Sequence, residues 1–483
     1  MSGQEAGAPA NAVVPAEPRQ ADGTIWSRLL AGLPQRIRKQ SGSSLLQSAL
    51  NLAEQLVVES GEAQAVRLAE NLADLLRQLD DAQLLGFFAG LVERFGADEV
   101  ALLAAARAYA DGPDEQRAAA LYAAAEPRRQ ELVRRLNMAA GGTALIVKLR
   151  EKILRMKKAH PSLAPLEIDF HQLLASWFNR GFLRLERIGW DSPAALLESV
   201  IRYEAVHEIR DWASLRTRLQ GNRRCLGFFH PAMPGVPLIF VEVALTTEMS
   251  AAIDPLLTEA GSEAPLARPT NAVFYSINNC HFGLKGINLG DLLIKQVVQD
   301  LRTEFPSLRH FATLSPIPGF ARWLAEMRKI PGVVPAPVAE TLAADGWQND
   351  PTKAEAIRPQ LVALCAQYLT GRSAEGAADR VTDPVARFHL TNGARLERIN
   401  WLADVSPKGL AESHGLMVNY RYLPNSIEAN HRAFVDEERV GTSSSVAQLL
   451  WNGGSRHTRL LFKEIGFGGH IASGGSTAAS DRR

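Results

Sequence analysis

Residues 271–314 read NAVFYSINNCHFGLKGINLGDLLIKQVVQDLRTEFPSLRHFATL. β-Branched and aromatic residues crowd NAVFYSI (271–277), as in a strand, and RHFATL (309–314) has the same texture. Between them DLLIKQVVQDLRTEF (291–305) carries Ile294, Val298, Leu301 and Phe305 at helical spacing. Strand, glycine-rich turn, helix, strand is the order of an α/β or α+β unit. Gly283, Gly286 and Gly290 fall in the turn FGLKGINLGDLLIK (282–295). Glycines there let backbone N–H groups approach a phosphate, and the positive end of the following helix adds attraction, so a pyrophosphate-bearing ligand fits. The spacing is neither that of a Walker loop nor that of the dinucleotide fingerprint. An ordinary glycine-containing connection fits the same residues.

Outward from this unit, VPLIFVEVAL (236–245) and LMVNYRYL (416–423) also read as strands, the latter with period-two alternation. Upstream of Pro161 and Pro165 the texture is different. From Ser44 to Lys158 Ala, Leu, Glu and Arg dominate, and Leu45, Ala49, Leu52 and Leu56, then Leu68, Leu72, Leu75 and Leu79, recur on helical stripes. Breaks at Ser60-Gly61, Asp80-Asp81, Gly96-Ala97-Asp98, Gly112-Pro113 and Pro127 divide this region into at least five helices, expected to form a bundle. In KLREKILRMKKAH (148–160), Lys148, Lys152 and Arg155 share a face; with Ile146, Ile153 and Met156 on the buried side and no interleaved aromatics, it reads as solvated. The expected division is a disordered tail over 1–24, a helical bundle over 25–172, a catalytic domain over 173–467 and a second disordered tail over 468–483.

With 483 residues, 46% hydrophobic and 22% charged, the chain has the make-up of a globular protein of roughly two or three domains. Lys plus Arg number 53 against 52 Asp plus Glu, so there is no overall field to hold nucleic acid or an acidic membrane, and any anion site must be local. Cys225, Cys280 and Cys365 fit neither a disulfide framework nor a zinc ribbon, and read as reduced thiols in a cytoplasmic protein. The first twenty residues lack a basic start and an apolar core, unlike a secretory signal. GVPLIFVEVAL (235–245), interrupted by Pro237 and Glu242, is too short to span a bilayer.

Two further stretches present residues suited to chemistry. In LSPIPGF (314–320), Pro316 biases Ser315 toward an extended backbone and Pro318-Gly319 set the turn after it, so the hydroxyl is presented stiffly, although serine before proline also commonly starts a turn. In FHLTNGARLERINWLADVS (388–406), His389 precedes an Asn392-Gly393 turn and a strand, where it would either exchange a proton near neutral pH or serve as a structural histidine. HEIRD (207–211), which superficially matches an acyltransferase pattern, reads instead as a helix bounded by Trp212. No G-x-S-x-G elbow and no H-E-x-x-H or other close ligand cluster occurs, so neither an α/β-hydrolase nor a metal site is expected.

Taken in order, HPAMPGVPLIFVEVALT (230–246), FYSINNCHFGLKGINLGDLLIKQVV (274–298), EFPSLRHFATLSPIPGF (304–320) and FHLTNGARLERINWLADVSPKGLAESHGLMVNYRY (388–422) resemble the malonyl-CoA decarboxylase family. The resemblance extends to the helical first part. It implies an α+β fold class: an N-terminal all-α helical bundle followed by a GCN5-related N-acetyltransferase-like α/β catalytic domain. It implies release of carbon dioxide from malonyl-CoA, with Ser315 as proton acceptor and His389 as proton donor. The family's CoA-binding turn falls on Lys285, Gly286, Ile287, Asn288, Leu289, Gly290 and Asp291. Asn288 stands where the family's turn carries an acid, so no acid–base role falls there. No metal or organic cofactor is implied, since the thioester itself accepts the electrons, and the family's members are homo-oligomers, often tetramers, expected here to assemble through the helical domain. A CoA-dependent N-acyltransferase of the same fold would use the same turn, but would also need an amine pocket and a base.

Overall fold

The computed structural model describes residues 35–258, 268–371 and 380–452. The two expected tails, 1–24 and 468–483, lie outside the described residues. The chain divides into two compact units: residues 1–146 with 152–169, and residues 147–151 with 170–483.

The first unit is helical. Its helices are α1 (Gln35–Val58), α2 (Glu62–Gln78), α3 (Asp81–Arg94), α4 (Glu99–Asp111), α5 (Glu115–Ala125) and α6 (Arg128–Leu136), followed by α7 (Gly142–Met156) and α8 (Ala164–Trp177), both of which run into the second unit's residues. Each break anticipated between α1 and α6 is present, with a local cause. Asp80 caps α3 in a reciprocal capping box with Gln83, Asp98 caps α4 and Asp114 caps α5, each carboxylate accepting a backbone N–H that the first helical turn leaves unpaired. Helix α1 packs on α2, α3 and α6. Ala49, Ala53 and Leu56 meet a core that includes Leu72, Phe87, Phe88, Leu91, Val133 and Leu136, all buried. Helices α4 and α5 pack on one another, but neither has a buried residue; Val100 and Tyr122 are each 80% exposed and Leu103 57%.

The second unit is built on one mixed sheet of eight strands: β1 (Arg184–Ile188), β2 (Arg223–Phe229), β3 (Ile239–Thr246), β4 (Asn271–Asn279), β5 (His310–Thr313), β6 (Ser315–Pro316), β7 (Arg395–Asn400) and β8 (Met417–Tyr422). Strands β1 to β4 form an antiparallel meander. Helix α9 (Leu289–Glu304) then carries the chain from β4 to β5, which pair in parallel, and this is the strand–turn–helix–strand unit read from 271–314. Strand β8 pairs antiparallel with β5, β6 and β7, so its alternating sequence is buried at nearly every position rather than on one face. A helical region followed by a mixed sheet is the expected α+β arrangement.

Strands β1 and β2 do not show in the composition. RLERI (β1) is charged because it flanks only β2, and RRCLGFF (β2) begins with two arginines that are nevertheless buried. Arg223 donates to the carbonyls of Pro255 and Leu256, and Arg224 pairs with Glu304 at 2.7 Å. HEIRD was read as a helix but is irregular; a helix begins at Trp212 instead, because Asp211 accepts from the Ser214 backbone N–H as its N-cap.

Candidate active site

Ser315 lies in β6 opposite Val418 of β8, which fixes its backbone as extended, as the following proline also requires. Its hydroxyl donates to Thr313 Oγ1 at 2.8 Å and lies 3.2 Å from His389 Nε2, although 74 residues separate serine from histidine. His389 Nδ1 lies 2.8 Å from the Tyr422 hydroxyl, and its ring stacks on Tyr420 with centroids 4.8 Å apart. Ser315, His389 and Tyr422 are all buried. Removal from water disfavours a charged imidazole, and His389 is pushed down to about 3; the same burial raises both tyrosines well above the usual phenol range. His389 is therefore neutral at physiological pH.

His389 was expected at the end of a strand; it stands instead in the last turn of an eight-residue helix, α10 (Pro384–Thr391). The helix forms because Asp383 caps it, its Oδ1 accepting from Val385 and Ala386 N–H, and because Pro384 occupies the first turn, where its missing N–H costs nothing. The other carboxylate oxygen accepts from Gly319 N–H and from the Tyr368 hydroxyl, both at 3.2 Å. One buried carboxylate thus holds the turn after Ser315 and the start of the helix that carries His389. Burial raises the pKa of Asp383, against the backbone donors that lower it.

The glycine turn faces the helix that carries His389, although neither Ser315 nor His389 is among the residues lining the cavity between turn and helix. Gly286 has φ +86°, a left-handed conformation that a side chain disfavours. Arg150, buried on α7, donates to the carbonyls of Gly283 at 2.6 Å and Lys285 at 2.9 Å, which aims the turn's carbonyls inward. Asn288 occupies the N-cap of α9 but caps it with no side-chain bond. A Cβ on Gly290 would stand 2.4 Å from the Phe388 ring, so only glycine lets the start of α9 close on α10. Between them opens a cavity of about 630 Å³, lined by Lys285, Gly286, Ile287, Asn288 and Gly290 on one side and Arg387, Phe388, Thr391 and Asn392 on the other. The other two residues of the expected turn lie elsewhere: Leu289 is buried in the core, and Asp291 pairs with Lys295 along the helix at 3.0 Å. Among the described residues no group of three His, Cys, Asp or Glu side chains is placed to hold a metal ion, and no helix is long and apolar enough to cross a membrane.

The comparisons with known proteins first define a class. Residues 181–459 match the family model for the malonyl-CoA decarboxylase C-terminal domain and residues 95–178 that for the N-terminal domain, so the chain is an enzyme of the carboxy-lyase class. It is 34% identical to the mitochondrial malonyl-CoA decarboxylase of Rattus norvegicus over 80% of this chain and 85% of that protein, and 35% identical to that of Anser anser anser over 76% and 79%. Solved structures of malonyl-CoA decarboxylase from Agrobacterium vitis (44% identity, TM-score 0.78) and Rhodopseudomonas palustris (46%, 0.75) cover 84% and 83% of this chain and 100% and 99% of their own. The chain belongs to the malonyl-CoA decarboxylase family.

Proposed function

We propose that the chain converts malonyl-CoA to acetyl-CoA and carbon dioxide at the Ser315–His389 pair, with the CoA phosphates against the turn Lys285–Asp291. The observation that carries this is the 3.2 Å approach of Ser315 Oγ to His389 Nε2, on a helix whose Phe388 and Thr391 line a cavity bounded by that turn. The bond between the malonyl carboxylate and the α-carbon breaks, carbon dioxide leaves, and the electron pair passes into the thioester as an enolate. One proton then returns to carbon. Each donor held toward the enolate oxygen is worth roughly 3 to 4 kcal/mol, and a placed acid about two to four powers of ten in rate. Burial keeps His389 neutral in the free enzyme. No metal or organic cofactor takes part.

Purified protein given malonyl-CoA alone, with chelator present, is expected to release acetyl-CoA and carbon dioxide in equal amounts. Acetyl transfer to an amine without decarboxylation would establish the acyltransferase reading instead.

A homo-oligomer, tetrameric as is common in the family, is proposed to form through the helical region. Val100, Leu103 and Tyr122 on the α4–α5 hairpin present an apolar surface that a second copy would cover. Replacing all three by serine should lower the mass seen by light scattering; an unchanged mass rules the hairpin out.

A further inference from the structure

Thr313 ends β5 with its side chain 0% exposed, and it stands two residues before Ser315. Strand β8 pairs with β5 as far as Ala312 opposite Arg421, and resumes with Ser315 opposite Val418. In the gap between, Tyr420 N–H donates to Thr313 Oγ1 at 3.1 Å. The Asn419 amide holds the Thr313 carbonyl at 2.6 Å. The threonine side chain is thereby fixed, and the Ser315 hydroxyl reaches the same oxygen at 2.8 Å.

These contacts form one chain running from Tyr422 through His389 and Ser315 to Thr313. A hydroxyl has one proton and a neutral imidazole has one, so the donor at one end sets every donor along it. A phenol is a better donor and a poorer acceptor than an aliphatic hydroxyl, which favours donation from the tyrosine end. With Ser315 donating to Thr313, the serine lone pairs face His389 and the histidine proton must sit on Nε2, while Nδ1 accepts from Tyr422.

We propose that Thr313 is a positioning residue that sets this direction: by taking the serine proton it holds the His389 proton on Nε2, on the side where Ser315 stands. The inference rests on the reading of Ser315 and His389 as the reacting pair. Thr313 touches no reacting atom and acts through the serine.

Threonine and valine have nearly the same shape, whereas serine keeps the hydroxyl. Thr313→Val removes the acceptor, freeing the Ser315 proton to turn onto Nε2 and driving the histidine proton to Nδ1. In the full-length enzyme, kcat of Thr313→Val should fall about tenfold or more with the KM for malonyl-CoA unchanged, while Thr313→Ser stays close to wild type. ¹⁵N spectra of labelled imidazole, with His389 assigned by its loss in His389→Gln, should show an Nε2–H tautomer in wild type and Thr313→Ser and an Nδ1–H tautomer in Thr313→Val. Wild-type turnover by Thr313→Val, equal impairment of Thr313→Ser, or an Nδ1–H tautomer in the wild type would each overturn the proposal. The wild-type spectrum and Thr313→Ser decide the matter even if Thr313→Val does not fold. Should Ser315→Ala and His389→Gln remain active, the reacting pair itself is wrong; should they be inactive while Thr313→Val is normal, only the role of Thr313 is wrong.

Discussion

The helical unit and the sheet unit differ in how far their polar residues reach. In the first, the helix-capping aspartates act on their neighbours: Asp80, Asp98 and Asp114 each accept N–H groups within three residues at the surface, while buried Asp169 accepts from Gln130, 39 residues earlier. In the second, Asp383 serves its own helix and also reaches Gly319, 64 residues earlier, and Arg150 reaches Gly283, 133 residues later. Exposed local caps are each worth about 1 kcal/mol and their loss is absorbed by one helix. Buried polar groups joining distant segments hold geometry, and their loss displaces whatever the segments carry. The exposed caps of the helical unit thus serve local stability, and the sheet unit is where the proposed reacting groups are held.

The sharpest way to break that contrast is to exchange the expected phenotypes. Ser315→Ala and His389→Gln should each lower kcat by about a hundredfold or more with little change in unfolding midpoint. Leu72→Ala, in the core of the helical unit, should cost about 2 to 5 kcal/mol of stability and leave the kcat of the surviving folded enzyme unchanged. Steady-state kinetics and urea unfolding on all three variants check this; a catalytic defect in Leu72→Ala without loss of stability would end the distinction.

A smaller effect is expected at Gly286→Val, where the left-handed backbone is strained and the added side chain obstructs approach to the turn. CoA affinity should fall about tenfold, with kcat at saturation much less affected. Calorimetric titration with CoA measures it, and unchanged affinity would remove the turn from the binding site.

The smallest effect is a drift with pH. Burial lowers His389 to about 3 and His207 and His414 to about 4, whereas the unfolded chain titrates near 6.5. The unfolded state therefore binds more protons below that value, so the stability these neutral histidines confer is complete above about pH 6.5 and is lost progressively toward pH 3 to 4. Urea midpoints should be lower at pH 5 than at pH 7.5, and the difference should shrink in His207→Gln. All three histidines belong to the sheet unit, so a tryptic fragment pattern at pH 5 should open that unit first.

Much of this molecule was determined by the sequence alone wherever the cause is local. Asp before a helix, Gly-Pro between two helices and a run of β-branched residues act within a few positions, and the helical breaks and the strands β3, β4, β5 and β8 stand where they were read. The long motifs around Ser315 and His389 carried the family in the same way. Asp383-Pro384 is an equally local helix start, and without it His389 is expected at a strand end rather than in a helix. Only the tertiary structure decided the rest. Arg150 lies in a charged helical stretch and Arg223 and Arg224 open a strand, and nothing near them in sequence shows the carbonyls and the carboxylate that let them be buried. Thr313, Asp383 and Tyr422 are common residues whose meaning lies in their partners. Chain folding, not spacing, brings those partners to hydrogen-bond distance, since a polar group takes its role from what excludes water around it and from what is left to accept its proton.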